Sequence, residues 1–169
     1  ESEASIMDDS VGKLFQYELQ TAISIIGPPL PIPPVGWGAV ESLIWDYKIT
    51  LEELGHDVQI LNDPDPNKMF QQMQEFDPEF VHINYDDWVS LYPYIPYPCA
   101  CTTHFAYINQ PQLMGGYKQR VFDMFALIKP VIFGLSDSIN RAYQYNAQIR
   151  EEKLFLNPNG VRLGNFRVA

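Results

Sequence analysis

Basic residues are scarce in this chain of 169 residues. It has 11 Lys and Arg against 21 Asp and Glu, which gives a formal net charge of −10 at pH 7. Nucleic-acid grooves need clustered Lys and Arg, and an anionic membrane surface repels an acidic protein. The charge therefore argues against nucleic acid and membranes as partners.

Cysteines and long apolar runs are also lacking. The two cysteines, Cys99 and Cys101, alternate on one predicted strand, where their side chains share a face without disulfide geometry. We expect both to be buried, reduced thiols. No run of about eighteen apolar residues occurs, and residues 1–5 lack the basic and apolar regions of a signal peptide. These absences predict a cytoplasmic protein.

The residues that are present predict one packed α/β domain, since 46% are hydrophobic and 14% aromatic. Short apolar segments bounded by turn residues predict strands at 22–27, 56–61, 79–84, 99–103, 130–135 and 153–156. Helical patterns separate them, at 38–55, 68–75, 117–127 and 136–149. This alternation predicts a doubly wound, mainly parallel, Rossmann-like sheet with helices on both faces.

Two segments are less regular. Residues 1–20 are an acidic stretch followed by apolar residues, and an extra strand, a helix and a linker all remain open. The chain starts with Glu1 and not Met, so we expect a piece of a longer protein. Tyr92 to Pro98 contains three prolines and predicts a rigid, extended connection.

The turn after the first predicted strand is rich in proline and glycine. Gly36 and Gly38 precede the first helical pattern. Glycines there let backbone N–H groups approach a phosphate, and the N-terminus of the helix adds a partial positive charge. The turn itself can also require glycine, so a phosphate site and a plain turn both stay open.

Polar residues follow two other predicted strands. Tyr85, Asp86, Asp87 and Trp88 come after the third strand, and His104 comes after the fourth. Ligands of open parallel sheets bind outside the carboxyl ends of the strands, so these residues are candidates for one crevice beside the glycine turn. A solvated loop and a structural histidine are the alternatives.

The other two histidines have structural explanations. His82 lies inside the third predicted strand, where we expect it in the core or directly behind a site. His56 begins the second strand, and we expect it to cap that strand.

Several motifs occur in a characteristic order. They are Pro33-Pro34 to Glu41, Gly55-His56-Asp57-Val58, Asp77 to Ile83, Thr102-Thr103-His104, Ser136, and Asn159-Gly160-Val161 with Phe166. Together they resemble the N-terminal domain of a retaining glycosyltransferase of family 4, over about residues 22–166. Such enzymes pair two Rossmann-like domains across a cleft, an architecture called GT-B.

The resemblance assigns roles to single positions. Gly38 matches the first of two glycines that the family usually has before this helix, and Ala39 replaces the second. His104 matches a histidine that lies beside the donor sugar. Ser136 matches the serine that begins the helix after the fifth strand, and Asn159-Gly160-Val161 matches the hinge into the second domain.

These roles imply two groups of binding residues. The loop containing Gly36, Gly38 and Ala39, together with Ser136, is expected to bind the phosphate and sugar of the donor. His104 is expected to act in catalysis by positioning or polarising the hydroxyls of the donor sugar. Acceptor contacts are expected from aromatic and acidic residues near the same turn and strand ends: Trp37, Glu41, Tyr85, Asp86, Asp87 and Trp88.

The implied activity is transfer of a hexose-type sugar from a nucleotide diphosphate sugar to a glycan or other soluble acceptor. No cofactor is expected in this domain, and the nucleotide-sugar is a substrate. We expect an extension or linker over 1–20, the Rossmann-like domain over 21–166, and the start of a link to a donor-binding domain over 167–169. Without that second domain, this half is expected to be inactive.

Other readings stay open. A non-catalytic carbohydrate-binding or scaffold module and half of a sugar-nucleotide epimerase are both compatible with the fold. The pair Asp86-Asp87 is similar to the metal-binding aspartates of the other large glycosyltransferase fold. That fold does not match six strand-helix steps, so no metal is expected.

Overall fold

The structure, a computed structural model, describes residues 20–104, 108–109 and 117–160. Nearly all of the predicted N-terminal extension lies outside the described residues. The hinge residue Val161, Phe166 and the expected link over 167–169 lie outside them as well.

The strands and helices follow the predicted order. The strands are β1 (Ala22–Ile26), β2 (Asp57–Leu61), β3 (Phe80–Ile83), β4 (Cys99–Cys101), β5 (Ile132–Gly134) and β6 (Leu154–Leu156). The α-helices are α1 (Ala39–Glu53), α2 (Pro66–Phe76), α3 (Tyr117–Ile128) and α4 (Asp137–Asn146). Within the described ranges, 3₁₀ helices span Asp86–Tyr94 and Glu151–Lys153.

The sheet has the strand order β2-β1-β3-β4-β5-β6, and all neighbouring strands are parallel. The predicted α/β fold with a parallel, Rossmann-like sheet is therefore confirmed. The direction in which strands are added to the sheet reverses between β1 and β3. The chain places β2 on one side of β1 and then returns to place β3 on the other side of β1. Ligands of such sheets bind at this switch point, outside the carboxyl ends of the strands.

Helices pack on both faces of the sheet. Ile25 and Ile26 alternate along β1 and therefore point to opposite faces. On one face, Ile25 packs with Ile44 of α1. On the other, Ile26 belongs to a larger core that includes residues of the remaining α-helices: Met69, Met73, Phe125 and Tyr143. Among the described helices, none is long and apolar enough to cross a membrane.

The connection after β3 differs from the prediction. The 3₁₀ helix Asp86–Tyr94 occupies most of the stretch expected to be a loop followed by an extended segment. Trp88 N donates to Tyr85 O at 3.0 Å, and Ile95 N donates to Tyr92 O at 3.3 Å. Proline fixes φ at a value that a 3₁₀ turn accepts, so Pro93 lies inside the helix. The chain becomes extended only at Ile95.

The two cysteines are free thiols on β4. Cys101 is buried and Cys99 is partly buried. Burial raises the pKa of the Cys99 thiol to about 12 and that of Cys101 well above its usual value. Because the thiolate is the reactive form, the raised pKa values disfavour reaction of both thiols at neutral pH.

The N-terminus of α2 provides a test of local stability. The Asp65 side chain accepts a hydrogen bond from Asn67 N at 2.9 Å. Asp65→Ala should lower the free energy of unfolding by about 1 kcal/mol, since it removes this cap. Urea unfolding measures the loss. Asp65→Asn should stay close to the parent protein, because asparagine caps about as well. Equal losses in both variants would contradict the capping role.

Candidate functional site

A cavity of about 690 Å³ lies at the carboxyl edge of the sheet. Several of the residues predicted for the site line it, and they come from separate segments. These residues are Trp37, Ala39, Glu41, Tyr85 and His104, and the predicted hinge residue Asn159 lines the cavity as well. The structure thus brings together residues that follow β1, β3, β4 and β6.

The turn before α1 separates the roles of its glycines. Gly36 has φ +94°, a conformation that favours glycine. Gly38 is extended, with φ −173°, but a Cβ there would lie 2.8 Å from Oε2 of Glu41 and 2.9 Å from Cβ of Pro34. Ala39 is the first helical residue. Alanine in place of the family's second glycine is therefore compatible with the backbone.

Glu41 places a carboxylate at the N-terminus of α1. It lies in the first turn, only 8% exposed, and lines the cavity. The partial positive charge of a helix N-terminus favours an acidic side chain there. A phosphate approaching the predicted Gly36 to Ala39 loop would meet this negative charge.

His104 is half-buried at the carboxyl end of β4. Its Nε2 lies 2.6 Å from Oδ1 of Asn84, which is fully buried at the end of β3. Burial lowers the pKa of His104, and the Asp86 carboxylate acts in the opposite direction. The net lowering makes the neutral imidazole the main form at pH 7.

His82 is buried in the interior, as the sequence predicted. Its Nε2 lies 2.8 Å from Oγ1 of Thr102, which donates to the backbone oxygen of Phe133 at 3.0 Å. The ring packs near those of Tyr47 and Phe133. Burial lowers the pKa of His82 to about 4, with a further contribution from His104.

The four candidate residues after β3, Tyr85 to Trp88, do not all line one cavity. Tyr85 lines the cavity, and burial and its hydrogen bond to Asp87 raise its pKa. Asp86 is buried, with 1% of its surface exposed. Asp87 lines a separate cavity of about 410 Å³ beside α3. Trp88 packs against the core and donates its indole N–H to the backbone oxygen of Gly27 at 3.1 Å. Only Tyr85 of this group lines the larger cavity.

Ser136 is the N-cap of α4. Its Oγ accepts a hydrogen bond from Ile139 N at 3.3 Å and lies 2.9 Å from Oγ of Ser138. Ser136 therefore begins the helix as the resemblance implies. Its neighbour Leu135 lines the cavity.

Two contacts at the site were not found in the sequence. The Tyr47 hydroxyl donates to Oδ1 of Asn159 at 3.2 Å. Asn84 bonds to His104, although only its polarity at the end of an apolar strand distinguished it. Within the described ranges, no group of three or more His, Cys, Asp and Glu side chains is placed to hold a metal ion.

Comparisons with protein-family models, with curated proteins and with solved structures found no match for the chain.

Proposed function

We propose that the chain is the acceptor-side domain of a nucleotide-sugar-dependent retaining glycosyltransferase, transferring a hexose-type sugar to a glycan or other soluble acceptor. The observation that carries the proposal is the cavity at the switch edge of the sheet. It gathers Trp37, Glu41, Tyr85 and His104 around one ligand-sized space. The ordered motifs of the sequence support the same function.

The lining of the cavity suits a sugar. Its volume of about 690 Å³ lies within the range of small-molecule sites, about 300–1,000 Å³. Trp37 is 94% exposed and offers a free aromatic face against which the C–H face of a pyranose can pack. Glu41 and His104 add polar atoms that can bind hydroxyl groups.

The chemistry of transfer requires oriented dipoles. Departure of the nucleotide diphosphate leaves positive charge on the anomeric carbon and negative charge on the phosphate. In this proposal His104 orients a hydroxyl of the donor sugar, and Trp37, Glu41 and Tyr85 hold the acceptor. The nucleotide would be bound mainly by a second Rossmann-like domain, as in the family that the sequence resembles.

One observation favours a second candidate, a non-catalytic carbohydrate-binding module. The described residues that line the cavity include no Lys or Arg, and Glu41 lies at the N-terminus of α1. This lining can bind a neutral sugar without handling a phosphate. A module that binds a sugar without transferring it needs no phosphate-binding residues.

The test is a screen of nucleotide-sugars with the full-length product of the gene. His104→Ala should lower hydrolysis or transfer by about 10²-fold, since it removes a positioned polar group from the reacting centre. His56→Ala is the matched control, because His56 contacts Thr21 N at the opposite end of the sheet. Thermal unfolding of both variants checks folding.

The outcomes separate the candidates. Unchanged activity in a folded His104→Ala protein would remove the catalytic role of His104. Binding of saccharides without hydrolysis or transfer of any nucleotide-sugar would favour the binding module.

A further inference from the structure

The polar side chains of the cavity differ in what they offer a ligand, since the Asn159 amide and the Trp37 indole carry N–H groups that can donate a hydrogen bond. Tyr85 adds a hydroxyl, which can donate or accept. Glu41 contributes a carboxylate, which accepts only, and no hydrogen bond from the described residues engages it. Whether His104 donates or accepts decides which group of a ligand can lie against its ring.

The hydrogen bond with Asn84 determines which ring nitrogen of His104 donates and which accepts. The amide oxygen Oδ1 of Asn84 can only accept, so Nε2 of His104 must carry the hydrogen of their 2.6 Å bond. In a neutral imidazole the other ring nitrogen, Nδ1, then has a lone pair. No residue of the described chain bonds to Nδ1, and the ring lines the cavity.

We propose that Asn84 is a positioning residue that fixes His104 as the Nε2–H tautomer, so that Nδ1 of His104 accepts a hydrogen bond from the ligand. The group bound at Nδ1 is then a donor, a hydroxyl of a neutral saccharide, and not an ionised phosphate or carboxylate. The saccharide identity rests on the proposed function; the tautomer does not.

The burial of Asn84 supports a dedicated role. Asn84 is fully buried, and its Nδ2 has no hydrogen-bond partner in the described part of the chain. A buried donor without a partner destabilises a fold, so stability alone does not explain an amide at this position. Holding the histidine ring does explain it.

The tautomer can be measured on the 169-residue chain by ¹⁵N NMR of its three histidines. His104 should show a protonated Nε2 and an unprotonated Nδ1 at pH 7. Asn84→Leu should lose this fixed state and move both ¹⁵N shifts towards the tautomer average. Asn84→Asp should keep Nε2 protonated, since a carboxylate also accepts. His82, which bonds to Thr102, is the internal control and should not change.

A protonated Nδ1 in the parent protein would overturn the proposal, as would an unchanged His104 tautomer in Asn84→Leu. The ligand class is tested with methyl hexosides and inorganic phosphate. A hexoside should shift Nδ1 of His104, and Asn84→Leu should weaken its binding about tenfold, the loss of one good hydrogen bond. A response to phosphate alone, or to neither probe, would overturn the ligand class. The transfer assay reports on the proposed function separately.

Discussion

Replacing Phe125 with alanine should lower the free energy of unfolding by about 3–5 kcal/mol. Phe125 is fully buried on α3, and its ring centroid lies 5.5 Å from that of Tyr143 on α4. The substitution leaves a cavity in the larger core, where Ile132 of β5 is also fully buried. Since the free energy of unfolding of a single domain is about 5–15 kcal/mol, this substitution should remove a large part of it.

Leu127→Ala is the matched control for this experiment. Leu127 lies two residues further along α3 and is 77% exposed, so its loss should change the stability by less than about 0.5 kcal/mol. Urea unfolding at pH 7 measures both variants, and Phe125→Ala should also melt roughly 6–20 °C lower. Equal effects of the two substitutions would contradict the packing of α3 described above.

The alternation of strands and helices was predictable because burial repeats with a local period. Along α1, Val40, Ile44, Tyr47 and Leu51 recur at steps of three and four residues, and the structure packs them in one cluster. Such a period depends on the sequence within one element. The alternation of such strands and helices in turn predicts a parallel sheet.

The 3₁₀ helix after β3 was not predictable from the same signal. Its prolines and aromatic residues are typical of an extended linker, while its actual conformation depends on tertiary packing. Val89 is buried in the larger core, and Trp88 reaches back to Gly27 at the end of β1. The contact between Trp88 and Gly27 crosses 61 residues of chain. The prediction that Trp88 contacts an acceptor stays untested, but its indole N–H already has a partner.

The candidate site likewise has features that were predictable from the sequence and features that were not. The carboxyl ends of the strands placed Tyr85 and His104 near one crevice, since that edge follows from the parallel order. The bond between Asn84 and His104 depends on the register in which Ile83 pairs with Cys101. Register is a property of two strands together, so no period within β3 or β4 could reveal it.

Acidification should destabilise the protein through His82. A free histidine has a pKa near 6.5, and burial lowers that of His82 to about 4 in the folded state. Between these values the unfolded chain binds more protons than the folded one, so stability is lost as the pH falls. Through His82, the free energy of unfolding should fall by about 3 kcal/mol between neutral pH and pH 4.

His82→Leu should remove this part of the pH dependence. Leucine fills a similar volume, and Thr102 keeps its hydrogen bond to the backbone oxygen of Phe133. Urea unfolding between pH 7 and pH 4.5 should show a steep fall of stability in the parent protein and a shallower fall in the variant. His104 contributes in the same direction, because its pKa is also lowered, so the variant keeps some dependence. Parallel curves for the two proteins would show that His82 gains a proton as easily in the fold as in the unfolded chain.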